Sequence, residues 1–411
     1  MKVSLLLVVV LAGLVGGFVR AESAIRSGDR IALVGNTFAD QLRVHGYLEA
    51  MLLRHDFEEA VSVRNLGWAG DMLTARDRPT NFPSEVETLS SHQTDVIIAC
   101  FGMGESFAGV PGIEIFKKDL GAFLVSHEGK SYNGKSEVRL VLVSPIACED
   151  LGTTTPGTDR RNSELESYSM AMKEVADEAG VPFVDLFGPM RDLLSEGGAA
   201  EFTTNGIHLN DLGYWAVSQA FFDQLVGENR TPWRISVDAG EMKVTASGVQ
   251  VAGVNGDEES FSFSVKELTA PNPAPPIEVA LSPWISARRD TVTVTGFAEG
   301  SYELMVDGVS VATARHDEWA AGVAIDRSPA HREAENFRKA VKDKNLQFLY
   351  GWKALNQVHI VGERKNSSSG RALPAELIEF DKLAKRKDEV LRKGYEPQTR
   401  TWSWKLVPAL K

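Results

Sequence analysis

Between residues 24 and 227, short apolar runs alternate with stretches in which apolar residues recur every three or four positions. The runs fall at 30–35, 60–65, 95–101, 138–145 and 182–185. They are nearly continuous in apolar character, as expected of parallel strands covered on both faces. Helical periodicity occupies 38–55, 112–126, 163–180 and 211–227. Strand and helix in alternation predict an α/β fold with a parallel sheet between two helical layers. The first run, Ile31 to Val34, stops at Gly35-Asn36-Thr37 just ahead of a helix. That turn aims backbone N–H groups and a hydroxyl at the carboxyl edge of the sheet, where open α/β sheets bind ligands.

After Gly227 the period changes. Glu241–Ala246, Ser260–Val265, Thr291–Thr295 and Ser301–Val306 read as short alternating strands, with the Pro-rich 270–276 among them. A small sandwich-like β module is expected. Helix returns at 329–349 and 374–393, around a polar loop at 365–370. The expected organisation is a leader at 1–21, an α/β domain at 22–228, the β module at 229–326 and a helical tail at 327–411 that packs on the first domain.

Lys2, the apolar run from Val3 to Val19 and the Val19-Arg20-Ala21 boundary read as a signal peptide cleaved after Ala21. The run is short for a spanning helix, and no second run could cross a bilayer, so the mature chain is expected to be secreted or periplasmic. Charge is split. Residues 22–326 carry 23 basic and 46 acidic groups, whereas 327–411 carry 19 and 10. So acidic a body would repel nucleic acid, and the basic tail suits docking on it. The two cysteines, Cys100 and Cys148, allow a disulfide in an oxidising compartment, although two buried thiols suit them better. Their number and spacing suggest no metal site, and no cofactor is expected. The phosphate-loop pattern at 129–136 follows a helix and precedes a strand, the reverse of what phosphate binding needs. It reads as a surface turn.

Four blocks fall at strand ends or just before the last helix of the α/β region: Gly35-Asn36-Thr37, Trp68-Ala69-Gly70-Asp71, Gly102-Met103-Gly104-Glu105 and Asn205-Gly206-Ile207-His208-Leu209. Their order and placement over roughly 28–227 resemble the SGNH (GDSL) hydrolase superfamily. The Gly-Asn-Thr block and the β-plus-helix extension resemble a large secreted bacterial subgroup of it. The resemblance implies a three-layer flavodoxin-like SGNH domain and an ester hydrolase acting on a small-molecule or glycan ester. It places Thr37 at the nucleophile, Gly70 and Gly104 with the backbone of Thr37 at the oxyanion hole, and Asn205 and His208 at the Asp-x-x-His positions.

Three positions depart from that pattern. Thr37 adds a methyl group to the nucleophile. Gly104 removes a side-chain oxyanion donor, a loss of about 10²–10³ in serine proteases. Asn205 replaces the carboxylate that orients the histidine, a change that costs about 10⁴ there. Helix capping is the bland alternative for Thr37, and a core role is the bland alternative for His208. Asn36, Glu105, Arg78, Asn81, Asn356 and His359 are candidate substrate-binding residues, with Glu105 also a candidate orienter of His208. Phe348, Tyr350 and Trp352 suit either a sugar-stacking wall or a helix core. Two functions fit: an esterase with a degenerate site, and a catalytically inactive module that binds a glycan or protein partner. The oligomeric state is left open.

Overall fold

The computed structural model describes residues 23–196, 200–227, 231–257, 260–277, 283–353 and 357–407. The expected leader at 1–21 lies outside them. Five strands, β1 (Arg30–Gly35), β2 (Ser62–Asn65), β3 (Val96–Cys100), β4 (Arg139–Val143) and β5 (Phe183–Val184), form one parallel sheet in the order β2-β1-β3-β4-β5. Alternate residues of these strands feed two cores. Ile31, Leu33, Val96 and Ile98 face α1 (Thr37–His45), α2 (Tyr47–Leu53), α6 (Phe187–Ser195) and α7 (Asp211–Val226). Ala32, Val34, Ile97 and Ala99 face α3 (Glu85–His92), α4 (Ile113–His127) and α5 (Thr158–Ala179). The domain is the three-layer α/β fold of SGNH hydrolases, and burial on both faces explains the unbroken apolar runs.

Local structure departs from the sequence reading in two places, and on the cysteines it agrees. The expected helix at 38–55 is two, because Gly46 at φ 71° ends α1 and starts α2. Helix α3 is polar enough to escape a periodicity reading, although its Ser84/Glu87 capping box is visible in the sequence. Cys100 and Cys148 are separate, buried thiols, and burial pushes both thiol pKa values up.

The β module has two sheets. Strands β6 (Arg234–Asp238), β7 (Lys243–Ser247), β8 (Val249–Gly256), β9 (Ser260–Glu267), β10 (Thr291–Thr295), β11 (Ser301–Val306), β12 (Val309–Arg315), β13 (Val323–Ala324) and β14 (Thr399–Val407) pair as β13-β10-β6-β7 and β12-β11-β14-β9-β8. Ile235, Val237 and Val294 of one sheet and Phe263, Leu304, Trp402 and Trp404 of the other share one core. The tail was expected to be helical, with no strand in it, and here the structure differs. Its segment Thr399–Val407 forms β14, antiparallel to both β9 and β11. Trp402 and Trp404, two apart, put both indoles on the buried face.

The remaining tail helices, Pro329–Trp352 and Pro374–Leu391, lie along the β2 edge of the parallel sheet. Lys344 is fully buried, pairs with Glu49 of α2 and donates to the Val63 carbonyl of β2 at 2.9 Å. Arg392 donates to the Ala60 carbonyl at 2.7 Å. The tail thus covers a sheet edge that would otherwise present open backbone groups. Among the described residues no helix is long and apolar enough to cross a membrane.

Candidate active site

The carboxyl ends of β1 to β4 and the loop before α7 enclose a cleft of about 190 Å³. Thr37, Gly70, Gly104 and His208 all line it. Thr37 is the first residue of α1, and the cap is Asn36, whose Oδ1 accepts from the Phe38 N–H at 3.0 Å. Thr37 is therefore free of the capping role, and its Oγ1 accepts from the Gly70 N–H at 3.2 Å. The turn depends on Gly35: its φ is 136°, and a Cβ there would stand 2.1 Å from the Cys100 carbonyl oxygen. The loop after β2 is fastened to α1 by Asn65, which donates to the Ala39 carbonyl at 2.6 Å and accepts from the Gly67 N–H at 2.9 Å.

The loop that carries His208 is fastened by a residue that pattern reading passed over. Glu149, 5 % exposed, accepts from the N–H groups of Phe202 at 2.9 Å and Thr203 at 2.7 Å and from the Thr203 hydroxyl. The only sequence signal was an acidic residue just past the apolar Ser144-Pro-Ile-Ala-Cys148 stretch. Asn205 forms the turn itself. Its Oδ1 accepts from the N–H groups of Ile207 at 3.3 Å and His208 at 2.9 Å, and its Nδ2 stands 3.0 Å from His208 Nδ1.

The third block is shaped by a partner invisible in one dimension. A Cβ on Gly104 would stand 2.8 Å from Met72 Cγ and 2.9 Å from its Sδ. Met72, the residue just after the second block, thus occupies the space into which a side chain at 104 would project. A thioether stands where the superfamily pattern has an amide. Beside it, Arg161 of α5 braces the loop, donating to the Met103 carbonyl at 3.0 Å and the Ser106 hydroxyl at 2.6 Å. Its guanidinium lies 3.9 Å from the centre of the Phe107 ring, and burial lowers its pKa. Phe107 stands 66 % exposed at the cleft mouth.

The other candidates fall elsewhere. Asn36 lines the cleft, with its oxygen committed to the cap. Glu105 does not reach His208, because its carboxylate accepts from the N–H groups of Leu73 and Gly102, both at 2.8 Å. Arg78 is bidentate to the buried Asp71 at 2.9 and 2.7 Å and stacks 4.2 Å from the Trp68 ring. Its charge is spent on shaping the second block rather than lining the cleft. Asn81 sits in an exposed turn at φ 65°. His359 lies in the short helix Gln357–Ile360, away from the cleft walls. Asn356 is outside the described residues. Phe348 and Trp352 pack against the core and Tyr350 against Phe380, so the helix-core reading holds for them. Among the described residues no group of three or more His, Cys, Asp or Glu could hold a metal ion.

Comparison with known proteins adds a family to this geometry. No curated protein matches the sequence. A gut microbial diltiazem-metabolizing enzyme superposes with a TM-score of 0.64 at 16 % identity, covering 93 % of this chain and 98 % of its own, so the fold is shared across nearly the whole length. An acetylxylan esterase from Geobacillus stearothermophilus (TM-score 0.38, 14 % identity) covers 49 % of this chain and 96 % of its own. An alpha/beta hydrolase from the metagenome of Lake Arreo, Spain (0.36, 17 %) covers 49 % and 97 %. The sequence pattern of the GDSL-like lipase/acylhydrolase family matches residues 28–216, the stretch that carries every wall of the cleft. Residues 28–216, the domain that builds the cleft, thus carry the pattern of the GDSL-like lipase/acylhydrolase family, whose members hydrolyse esters.

Proposed function

We propose that the protein is an exported hydrolase that removes a small acyl group from an ester, with Thr37 as nucleophile and a carbohydrate as the alcohol. One observation carries the reading: the Thr37 hydroxyl, the Gly70 N–H at 3.2 Å from it and His208 all face one small cleft. A cleft of about 190 Å³ is below the usual ≈ 300–1,000 Å³ of drug-sized ligand pockets, which suits an acyl group inside and the alcohol at the mouth. Exposed Phe107 offers a flat apolar face at that mouth, on which a sugar ring can stack. Export rests on the character of residues 1–21.

In this mechanism Thr37 Oγ1 attacks the acyl carbonyl and passes its proton to His208 Nε2. The N–H of Thr37, which has no acceptor within the helix at that position, and the N–H of Gly70 hold the oxyanion. His208 returns the proton to the departing alcohol, and water then releases the acid by the same route. The test is hydrolysis of acetylated sugars and aryl esters by the mature protein beside Thr37→Ala and His208→Ala. Turnover abolished in both variants supports the mechanism; equal rates in all three proteins would refute it. Met72 in the oxyanion region favours a second reading, glycan binding without turnover. Saturable sugar binding in the absence of any hydrolysis would establish that one.

A further inference from the structure

The geometry points to Asn205 as the residue that fixes which nitrogen of His208 carries the proton, and it fixes it on Nε2. The resting cleft then meets its ligand with hydrogen-bond donors and holds a carboxylate, the acid that ester hydrolysis releases. This inference rests on the ester-hydrolase reading of the site.

Backbone N–H groups only donate. Those of Ile207 and His208 converge on one corner of the Asn205 amide at 3.3 and 2.9 Å, so that corner is the oxygen. The other corner, 3.0 Å from His208 Nδ1, is therefore the NH₂ group. An amide NH₂ has no lone pair to offer, so Nδ1 accepts, and a neutral imidazole that accepts at Nδ1 carries its hydrogen on Nε2. Turning the amide over would point the NH₂ at two backbone N–H groups and forfeit both bonds. A carboxylate at 205 would do the opposite, keeping one oxygen on the backbone and taking the Nδ1 hydrogen with the other. Nε2 would then be left as a base.

The consequence reaches Thr37. Its Oγ1 already accepts from Gly70, so its hydroxyl hydrogen is available to donate. With Nε2–H also donating, the side chains of Thr37 and His208 cannot hydrogen-bond to each other as nucleophile and base. Both suit an acceptor placed between them. Asp71, the acidic side chain in the cleft wall, has both oxygens on Arg78 and does not compete for these donors. Turnover proceeds only through the minor tautomer. Binding of the released acid uses the major one.

Nitrogen-15 NMR of histidine-labelled protein, with acetate as the probe, tests this directly. Expected for the wild type are an unprotonated, hydrogen-bonded Nδ1 and a protonated Nε2 at His208, and competitive inhibition of ester hydrolysis by acetate. Asn205→Asp should reverse the two nitrogens, raise kcat on aryl acetates by roughly 10²–10⁴ with KM little changed, and weaken acetate inhibition at least tenfold. A protonated Nδ1 in the wild type would overturn the inference without recourse to any variant. So would acetate inhibition of equal strength in both proteins. If neither protein hydrolyses any ester while the nitrogens still reverse, the hydrolase reading fails and the assignment of Asn205 stands.

Discussion

Replacing Lys344 by methionine tests whether the tail is part of the catalytic domain or an appendage. The ammonium is fully buried against Glu49, itself 5 % exposed, and also donates to the Val63 carbonyl. Methionine fills much of the same volume and removes the charge, leaving Glu49 with Asn345 as its remaining partner at 2.6 Å. Removing one member of a buried ion pair costs about 3–5 kcal/mol, because the other charge stays uncompensated. At roughly 2–4 °C per kcal/mol for a unit of this size, the midpoint should fall by roughly 6–20 °C. Thermal unfolding followed by tryptophan fluorescence reads the shift, since Trp68 and Trp352 pack edge to face at 5.6 Å across the junction of domain and tail. Lys344→Met with Glu49→Gln should recover at least half of the loss, because no buried charge remains. A single variant within about 2 °C of the wild type, equivalent to less than about 1 kcal/mol, would refute the reasoning.

Two further outcomes follow from the same structure. Gly104→Asn alone should not help catalysis, because its Cβ meets Met72, but Gly104→Asn with Met72→Ala makes room for the amide and should raise kcat on aryl acetates by about 10²–10³. A double variant no faster than the wild type would show that the amide does not reach the oxyanion. Burial, reinforced by Arg64, Lys344 and Arg30, drives the pKa of His92 well below its ordinary value, while its hydrogen bond to the Ile31 carbonyl opposes the shift. The unfolded chain therefore binds the proton first, so the contribution of His92 to stability is complete above about pH 6.5 and is lost as pH falls below it. His92→Gln should flatten the fall in midpoint between pH 7.5 and 5; an unchanged slope would remove His92 as its cause.

The parallel sheet was legible because β1, β3 and β4 are buried on both faces and spell that burial out as Ile, Leu and Val. Strand β14 was not, because Trp402-Ser-Trp404 follows a long helical segment, and pairing with β9 and β11 across so much chain leaves no local trace. The site divides in the same way. Backbone-borne features, the turn at Gly35-Asn36-Thr37 and the loop carrying His208, were readable from spacing. What each charged side chain does was not. Glu105 and Arg78 carry the right groups for a binding site, and the fold uses both for holding loops. The exchange of a side chain at 104 for Met72 is a contact between two loops far apart in sequence, so neither residue announces it alone.

The position of β14 also governs the order in which this chain can be completed during synthesis. Strands β8 and β9 on one side and β11 and β12 on the other have no neighbour between them until Thr399–Val407 has left the ribosome. At about 5–20 residues per second, the stretch from Arg315 to Val407 takes roughly 5–18 s to make. Through that interval two hairpins stand with open inner edges, the arrangement most exposed to pairing with another chain. Because the chain visits the α/β domain, then the β module, then the α/β domain again and finally the β module, neither unit can be released by a single cut.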